Sequence, residues 1–180
     1  MGKILLPEGA APDTPASGYL AIYATTGSVP AFKNDGGTVG TLASHESATS
    51  WTPTLQFGGA AVGMTFTSLV GRYARVGNVV MFGLTITLSA KGSSTGWAKI
   101  TGLPFSTATS TDLVVPFPVW MLSGSTITAG NQVYATMTSN SATLNLYNHA
   151  PTAAAATLTD ANFGATTTLM ISGSYITSGY

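Results

Sequence analysis

Six carboxylates, two histidines and a group of aromatic residues are the side chains of this 180-residue sequence best suited to chemistry. The acids are Glu8, Asp13, Asp35, Glu46, Asp112 and Asp160. Cleaving a glycosidic bond takes two carboxyl groups flanking that bond. Asp112 with Asp160 is the one such pair in the later part of the chain, with Glu46 near its border, and both residues also fit a plain turn-capping role. His45 and His149 are too few for a common metal site unless identical subunits pool them on an axis. There is no cysteine, which excludes disulfides and thiolate zinc sites. A Ser-His-Asp triad stays open on composition alone, and no nucleophile elbow of the Gly-x-Ser-x-Gly form is expected. The expectation is a chain with no catalytic residues, no metal and no cofactor.

A second chemistry is stacking. Trp97, Trp120, Tyr134 and Tyr147 could present flat faces to the C–H surfaces of a sugar, with Asn145 and Asn148 adding hydrogen bonds. The competing reading is that Trp and Tyr in a β-sandwich are mostly core or interface residues, and that reading is preferred. Arg72 and Arg75 flank Tyr73 near a strand start, where an ion pair within the sheet or between subunits is expected.

Composition narrows the partners. Six Lys and Arg balance six Asp and Glu, and only 7% of residues are charged, against about 25% in an ordinary domain. A net charge of zero cannot supply the electrostatic term that holds nucleic-acid binders to phosphate, so no nucleic-acid partner is expected. Ser and Thr make up roughly a quarter of the chain. Exposed faces of lone soluble domains are usually charged; a neutral Thr, Ser, Asn and Gly surface suits subunit packing or neutral sugars. No stretch approaches the roughly 20 apolar residues that span a bilayer. Ile4-Leu5-Leu6 is too short for a signal-peptide core, and Leu6 stands where a myristoylation site has Ser or Thr.

The elements that must position these groups read as strands. Pro7, Pro12 and Pro15 make residues 1–16 an extended arm. Gly18–Ala24, Val29–Lys33 and Thr38–Leu42 read as a three-strand meander, with Asn34-Asp35-Gly36-Gly37 as a turn. Residues 43–50 read as a polar linker, closing a region 17–50. From Trp51 the pattern is β to the end. Val80, Phe82, Leu84, Ile86 and Leu88 alternate with Gly83, Thr85, Thr87 and Ser89, giving one buried and one solvated face. Gly77-Asn78 marks a hairpin before it. Ser139-Asn140-Ser141 marks a second, between Val133–Met137 and Ala142–Tyr147. Leu113–Pro118 carries two prolines and reads as an edge strand or irregular segment. The alanine run Ala153–Ala156 could form a helical turn. Thr167–Tyr175 reads as a closing strand. The fold class expected is all-β: a jelly-roll-like antiparallel β-sandwich head over 51–180, with an extended N-terminal arm and a small β meander.

Two stretches carry a resemblance. The first is Trp51-x-Pro53-x-Leu55-x-Phe57-Gly58-Gly59, then Gly71-Arg72-Tyr73-x-Arg75-Val76-Gly77-Asn78-Val79-Val80, then Ile100-x-Gly102-Leu103-Pro104-Phe105. It resembles the C-terminal head domains of tailed-bacteriophage fibre and other virion surface proteins, across 51–180. The second, Gly18–Leu42, resembles a short β element near the start of many phage fibre-like proteins. The resemblance implies a virion location, a homotrimer, attachment through the N-terminus to a capsid or tail adaptor protein, and outward display of the head. With no repetitive shaft, a short fibre or capsid decoration fits better than a long tail fibre. Ile4, Leu5, Leu6 and Pro7 are the candidate anchoring residues, able to bind a particle surface by strand addition. The alternative is an adhesin or fibre tip that recognises a host surface glycan through Trp97, Trp120, Tyr134, Asn145 and Tyr147.

Overall fold

A computed structural model describes residues 9–26, 30–41, 48–109 and 114–178. It divides into two compact units, Met1–Glu46 and Ser47–Tyr180.

The first unit is a meander of β1 (Leu20–Ala24), β2 (Pro30–Asn34) and β3 (Val39–Thr41), paired antiparallel in that order. Its β2–β3 turn forms because Asn34 accepts the Thr38 N–H through Oδ1 at 2.8 Å, while Gly37 takes a positive φ of 81°. The described part of the arm is not free. Gly9 donates its N–H to the Ala24 carbonyl, and Lys33 Nζ donates to the Pro12 carbonyl at 3.0 Å. Residues 9–16 therefore lie along their own meander, because two hydrogen bonds are available to them there. Ile4, Leu5, Leu6 and Pro7 lie outside the described residues.

The second unit holds β4 (Thr49–Trp51), β5 (Thr54–Phe57), β6 (Thr65–Val76), β7 (Val79–Ala90), β8 (Ala98–Thr101), β9 (Val114–Ser125), β10 (Gln132–Thr138), β11 (Leu144–His149), β12 (Ala156–Thr157) and β13 (Phe163–Ile176). Since β4 pairs with β6, Thr49 and Ser50 belong to the head and not to a linker. The strand order is β4-β6-β7-β13-β9-β10-β11-β8-β5, with β12 on β11, and every ladder is antiparallel among the described residues. The all-β fold class holds.

The path folds into two layers at β9. Its first half pairs with β10 from Val114 to Pro118, and its second half pairs with β13 from Val119 onward. Pro116 and Pro118 have no N–H to give, so they sit where β9 has a neighbour on one side only. At the split, the Phe117 ring lies over Gly173, where a Cβ would come within 2.4 Å of it. The layers close on one apolar core, seen where Phe57 of β5 meets Phe163 of β13 at 5.0 Å and Phe82 of β7 meets Phe117 at 5.2 Å.

Val80, Phe82, Leu84, Ile86 and Leu88 are all buried, as their alternation predicts. The Gly77-Asn78 hairpin is tight, with Val76 opposite Val79. Gly77 has φ 59° and Asn78 does not have a positive φ, the pattern of a II′ turn, which wants glycine first. The second hairpin also forms, with Asn140 at φ 51°. The alanine run Ala153–Ala156 is not helical; a 3₁₀ turn follows it at Asp160–Asn162.

The residues that carry the resemblance are largely packing. Trp51 lies over Gly71 and meets Tyr73 and Phe82 edge-on. Phe105 sits between the Tyr73 ring at 5.6 Å and the Arg75 guanidinium at 4.7 Å. The Phe105 carbonyl accepts the Tyr175 hydroxyl at 2.8 Å. Burial pushes that phenol up to about 12, against the smaller opposing pull of the Phe105 hydrogen bond.

Candidate functional site

The functional candidates separate by the strand that carries them. On β9, Val115, Phe117, Val119 and Met121 pack toward the core, so Pro116, Pro118 and Trp120 point outward. Trp120 is 68% exposed. It stands where the outer surfaces of the two layers meet.

On one side lies the outer face of β10 and β11. Tyr134 is opposite both Tyr147 and Pro118, and Thr136 is opposite Asn145. Tyr134, Tyr147 and Asn145 are thus brought together. The two rings stack on each other, however, with centroids 5.5 Å apart and planes 16° apart. A directly opposed cross-strand pair of this size prefers contact with itself, so each ring covers one face of the other and a flat two-ring platform is not offered. Asn148 receives a hydrogen bond from Asn131 Nδ2 at 3.3 Å. His149 ends β11 and is exposed; His45 lies outside the described residues.

On the other side lies the outer face of β6, β7, β13 and β9. Its register gives cross-strand rows. Val76, Val79 and Ile176 form one; Ala74, Met81 and Ser174 the next; Arg72, Gly83 and Ser172 the third; Val70, Thr85, Met170 and Trp120 the fourth. The third and fourth rows line a trough of about 630 Å³. Val70, Val76, Val79, Met81, Met170 and Ile176 are each between 39% and 57% exposed. The sequence reading missed this face. Its signals are the unbroken apolar runs Val79–Phe82 and Leu169–Ile171, which mark strands with apolar residues on both sides.

Arg72 points out of this face and has no hydrogen-bond or ion-pair partner among the described residues, so no ion pair within the sheet forms there among them. The reason is supply: Asp160 is the one acid among the described head residues, and it is engaged elsewhere. Arg75 donates from Nε to the Gly77 carbonyl at 2.8 Å. Trp97 is 69% exposed and sits on the β7–β8 connection, bridged to Thr159, with residues 157–159 between it and Tyr147.

The candidate pairing of Asp112 with Asp160 involves a residue outside the described ones. Glu8, Glu46 and Asp112 lie outside the described residues, and Asp13 and Asp35 are in the first unit. Asp35 accepts the Gly18 N–H at 2.8 Å, a turn-capping role. Asp160 accepts the Gly96 N–H at 2.8 Å, with Lys91 Nζ 3.5 Å from its other oxygen. The Gly96 hydrogen bond, with Lys91 assisting, holds its carboxyl below the usual 3.8. Among the described residues no cluster of three or more His, Cys, Asp or Glu is placed to hold a metal.

Contrary to the expectation of no Gly-x-Ser-x-Gly form, the stretch Gly92-Ser93-Ser94-Thr95-Gly96 has that spacing. A nucleophile elbow needs a strand–turn–helix context. Here the stretch links β7 to β8, Ser94 is buried, and its Oγ accepts the Val62 N–H at 2.8 Å. The serine ties two loops together.

No protein-family model matches the chain, and no curated protein matches it. Among solved structures the chain is similar to the crystal structure of the Dettilon tailspike protein, with 21% sequence identity and a TM-score of 0.59. The similarity covers 72% of this chain and 23% of that one, so the chain spans about a quarter of the tailspike's length. What the two share is a fold.

Proposed function

We propose that this chain is a structural surface protein of a tailed-phage virion, a homotrimer held at the capsid or tail by its N-terminal segment and displaying its β-sandwich head as a capsid decoration or short fibre. The observation that carries this reading is the fold shared with part of a phage tailspike. The near-absence of charge fits a head that is packed by like neighbours. The chain acts without catalysis in this reading, in keeping with the engagement of Asp160 by Gly96 and Lys91.

The test is the particle itself. Virions of the phage that encodes the chain, purified and analysed by mass spectrometry, should contain it in multiple copies per particle. Its absence from them would overturn the reading. Deleting residues 1–16 should abolish binding to particles that lack the protein while the head stays folded; unchanged binding would remove the anchoring role.

A second reading, a glycan-recognising adhesin or tail-fibre tip, is favoured by one observation: Trp120 is left largely exposed beside the Pro118–Tyr134–Tyr147 row and Asn145. On a glycan array the full chain should then bind a host surface sugar, and Tyr134→Ala or Asn145→Ala should weaken it. No binding to any host glycan or host cell would remove this reading and leave the first intact.

A further inference from the structure

The outer face of β6, β7, β13 and β9 has a property its own fold does not require. Gly83 sits mid-strand on β7, where glycine weakens pairing and gives nothing to pack. Nothing around it calls for glycine: its φ is not positive, and an added Cβ would meet only the Ser172 Cβ, at 4.0 Å. A strand glycine with open space above it marks a place where another surface comes close to the backbone. The rows around it are apolar. Val76, Val79 and Ile176, then Met81, then Val70, Met170 and Trp120, expose on the order of 600 Å² of apolar surface, taking about 150–250 Å² for a whole aromatic side chain and somewhat less for the others.

That area fits one occupant well. A stable interface buries about 800 Å² per partner, of which about 65% is apolar when the partners are identical. The face supplies that much, at the upper end of the roughly 300–600 Å² that the largest apolar patch of a typical monomer covers. Electrostatics agree. Arg72 is the one charged residue on these four rows, so two copies meet with little like-charge opposition. It stands one strand from the sheet edge, directly opposite the exposed Ser50 of β4, where a long side chain can keep its guanidinium in a wet rim.

From this face we infer that copies of the chain associate through the outer surface of β6–β7–β13–β9, with the trough over Gly83 receiving side chains of a second copy. The inference rests on the oligomeric reading above and names its contact surface.

Sedimentation velocity on the full chain at micromolar concentration tests it, comparing wild type with Met81→Lys, Gly83→Val and Gln132→Lys. Met81→Lys places a charge in the centre of the face. Gly83→Val fills the trough with a residue the strand tolerates, so its effect cannot be put down to misfolding; circular dichroism and melting temperature check this. Gln132→Lys adds the same charge on the outer face of β10. Wild type should sediment as an oligomer, Met81→Lys and Gly83→Val should each raise the dissociation constant at least about tenfold, and Gln132→Lys should leave it unchanged. An oligomer indifferent to Met81→Lys and Gly83→Val would overturn this surface and leave the oligomeric reading standing. A wild-type monomer would overturn both, and the face would then belong to a different partner.

Discussion

Replacing Gly71 by alanine should cost about 2 kcal/mol of stability, although it adds one methyl group. Gly71 is buried on β6 directly under Trp51, and an added Cβ would lie 2.4 Å from the indole ring. Either the ring leaves or the strand shifts. If the ring leaves, it gives up its edge contacts with Tyr73 at 6.4 Å and Phe82 at 6.3 Å. Re-exposing on the order of 100 Å² of a half-buried indole costs roughly 2.5 kcal/mol at about 25 cal/mol per Å². If the strand shifts instead, overpacking costs about 1–3 kcal/mol. Both routes end near the same value, a large share of the roughly 5–15 kcal/mol that holds a domain together. The internal control is Gly83→Ala. It lies opposite Arg72, one residue along the ladder from the Gly71–Leu84 pair, but faces outward with room for the methyl. It should be neutral or stabilising by up to about 1 kcal/mol. Guanidinium unfolding at a protein concentration low enough for the subunits to be separate, followed by tryptophan fluorescence, reads both variants without a contribution from association. Gly71→Ala within about 0.5 kcal/mol of wild type, or Gly83→Ala destabilised as much as Gly71→Ala, would refute the packing argument.

Three further outcomes follow from polar contacts. Tyr175→Phe leaves the Phe105 carbonyl without its donor and should cost about 1–2 kcal/mol in urea unfolding. Because burial raises the Tyr175 phenol from 10 to about 12, its contribution is complete below pH 10 and is lost as pH rises through about 12; the variant should flatten that alkaline limb. Asp160 is shifted the other way, so its contribution is present above pH 3.8 and is lost as pH falls through its lowered value. Asp160→Asn keeps an acceptor for Gly96 and should remove that acid dependence in a pH series of melting temperatures. Thr167→Val should cost about 2 kcal/mol in chemical unfolding, since the buried hydroxyl both donates to the Gly124 carbonyl at 2.6 Å and accepts the Gly164 N–H at 2.8 Å.

Local physics made much of the fold readable. The alternation from Val80 to Leu88 needs only a side-chain period of two, and Gly77-Asn78 and Asn140 need only their own backbone preferences. The three-strand meander was readable for the same reason. What depends on partners distant in sequence was not. Nothing in Leu113–Pro118 says that β9 changes layers at Pro118, because the change is made by β13, about fifty residues later. Nothing in the spacing of Tyr134 and Tyr147 says that they stack, because that follows from register. The neutral Thr- and Ser-rich surface expected from composition is only half right. Composition averages over faces, and the outer side of β6, β7, β13 and β9 concentrates Val, Met and Ile that the average hides. Of the candidate binding residues, structure gathers Tyr134, Asn145 and Tyr147, sets Trp120 at one margin, and places Trp97 beyond the short segment 157–159.

Because β13 lies between β7 and β9, a strand that follows both of them in sequence fills the middle of the sheet. A ribosome adding about 5–20 residues per second needs roughly 4–15 seconds to travel from the end of β7 to the start of β13. Throughout that interval the β7 edge that β13 will pair with is unsatisfied. Premature termination anywhere before Phe163 therefore yields a product whose sheet cannot close between β7 and β9.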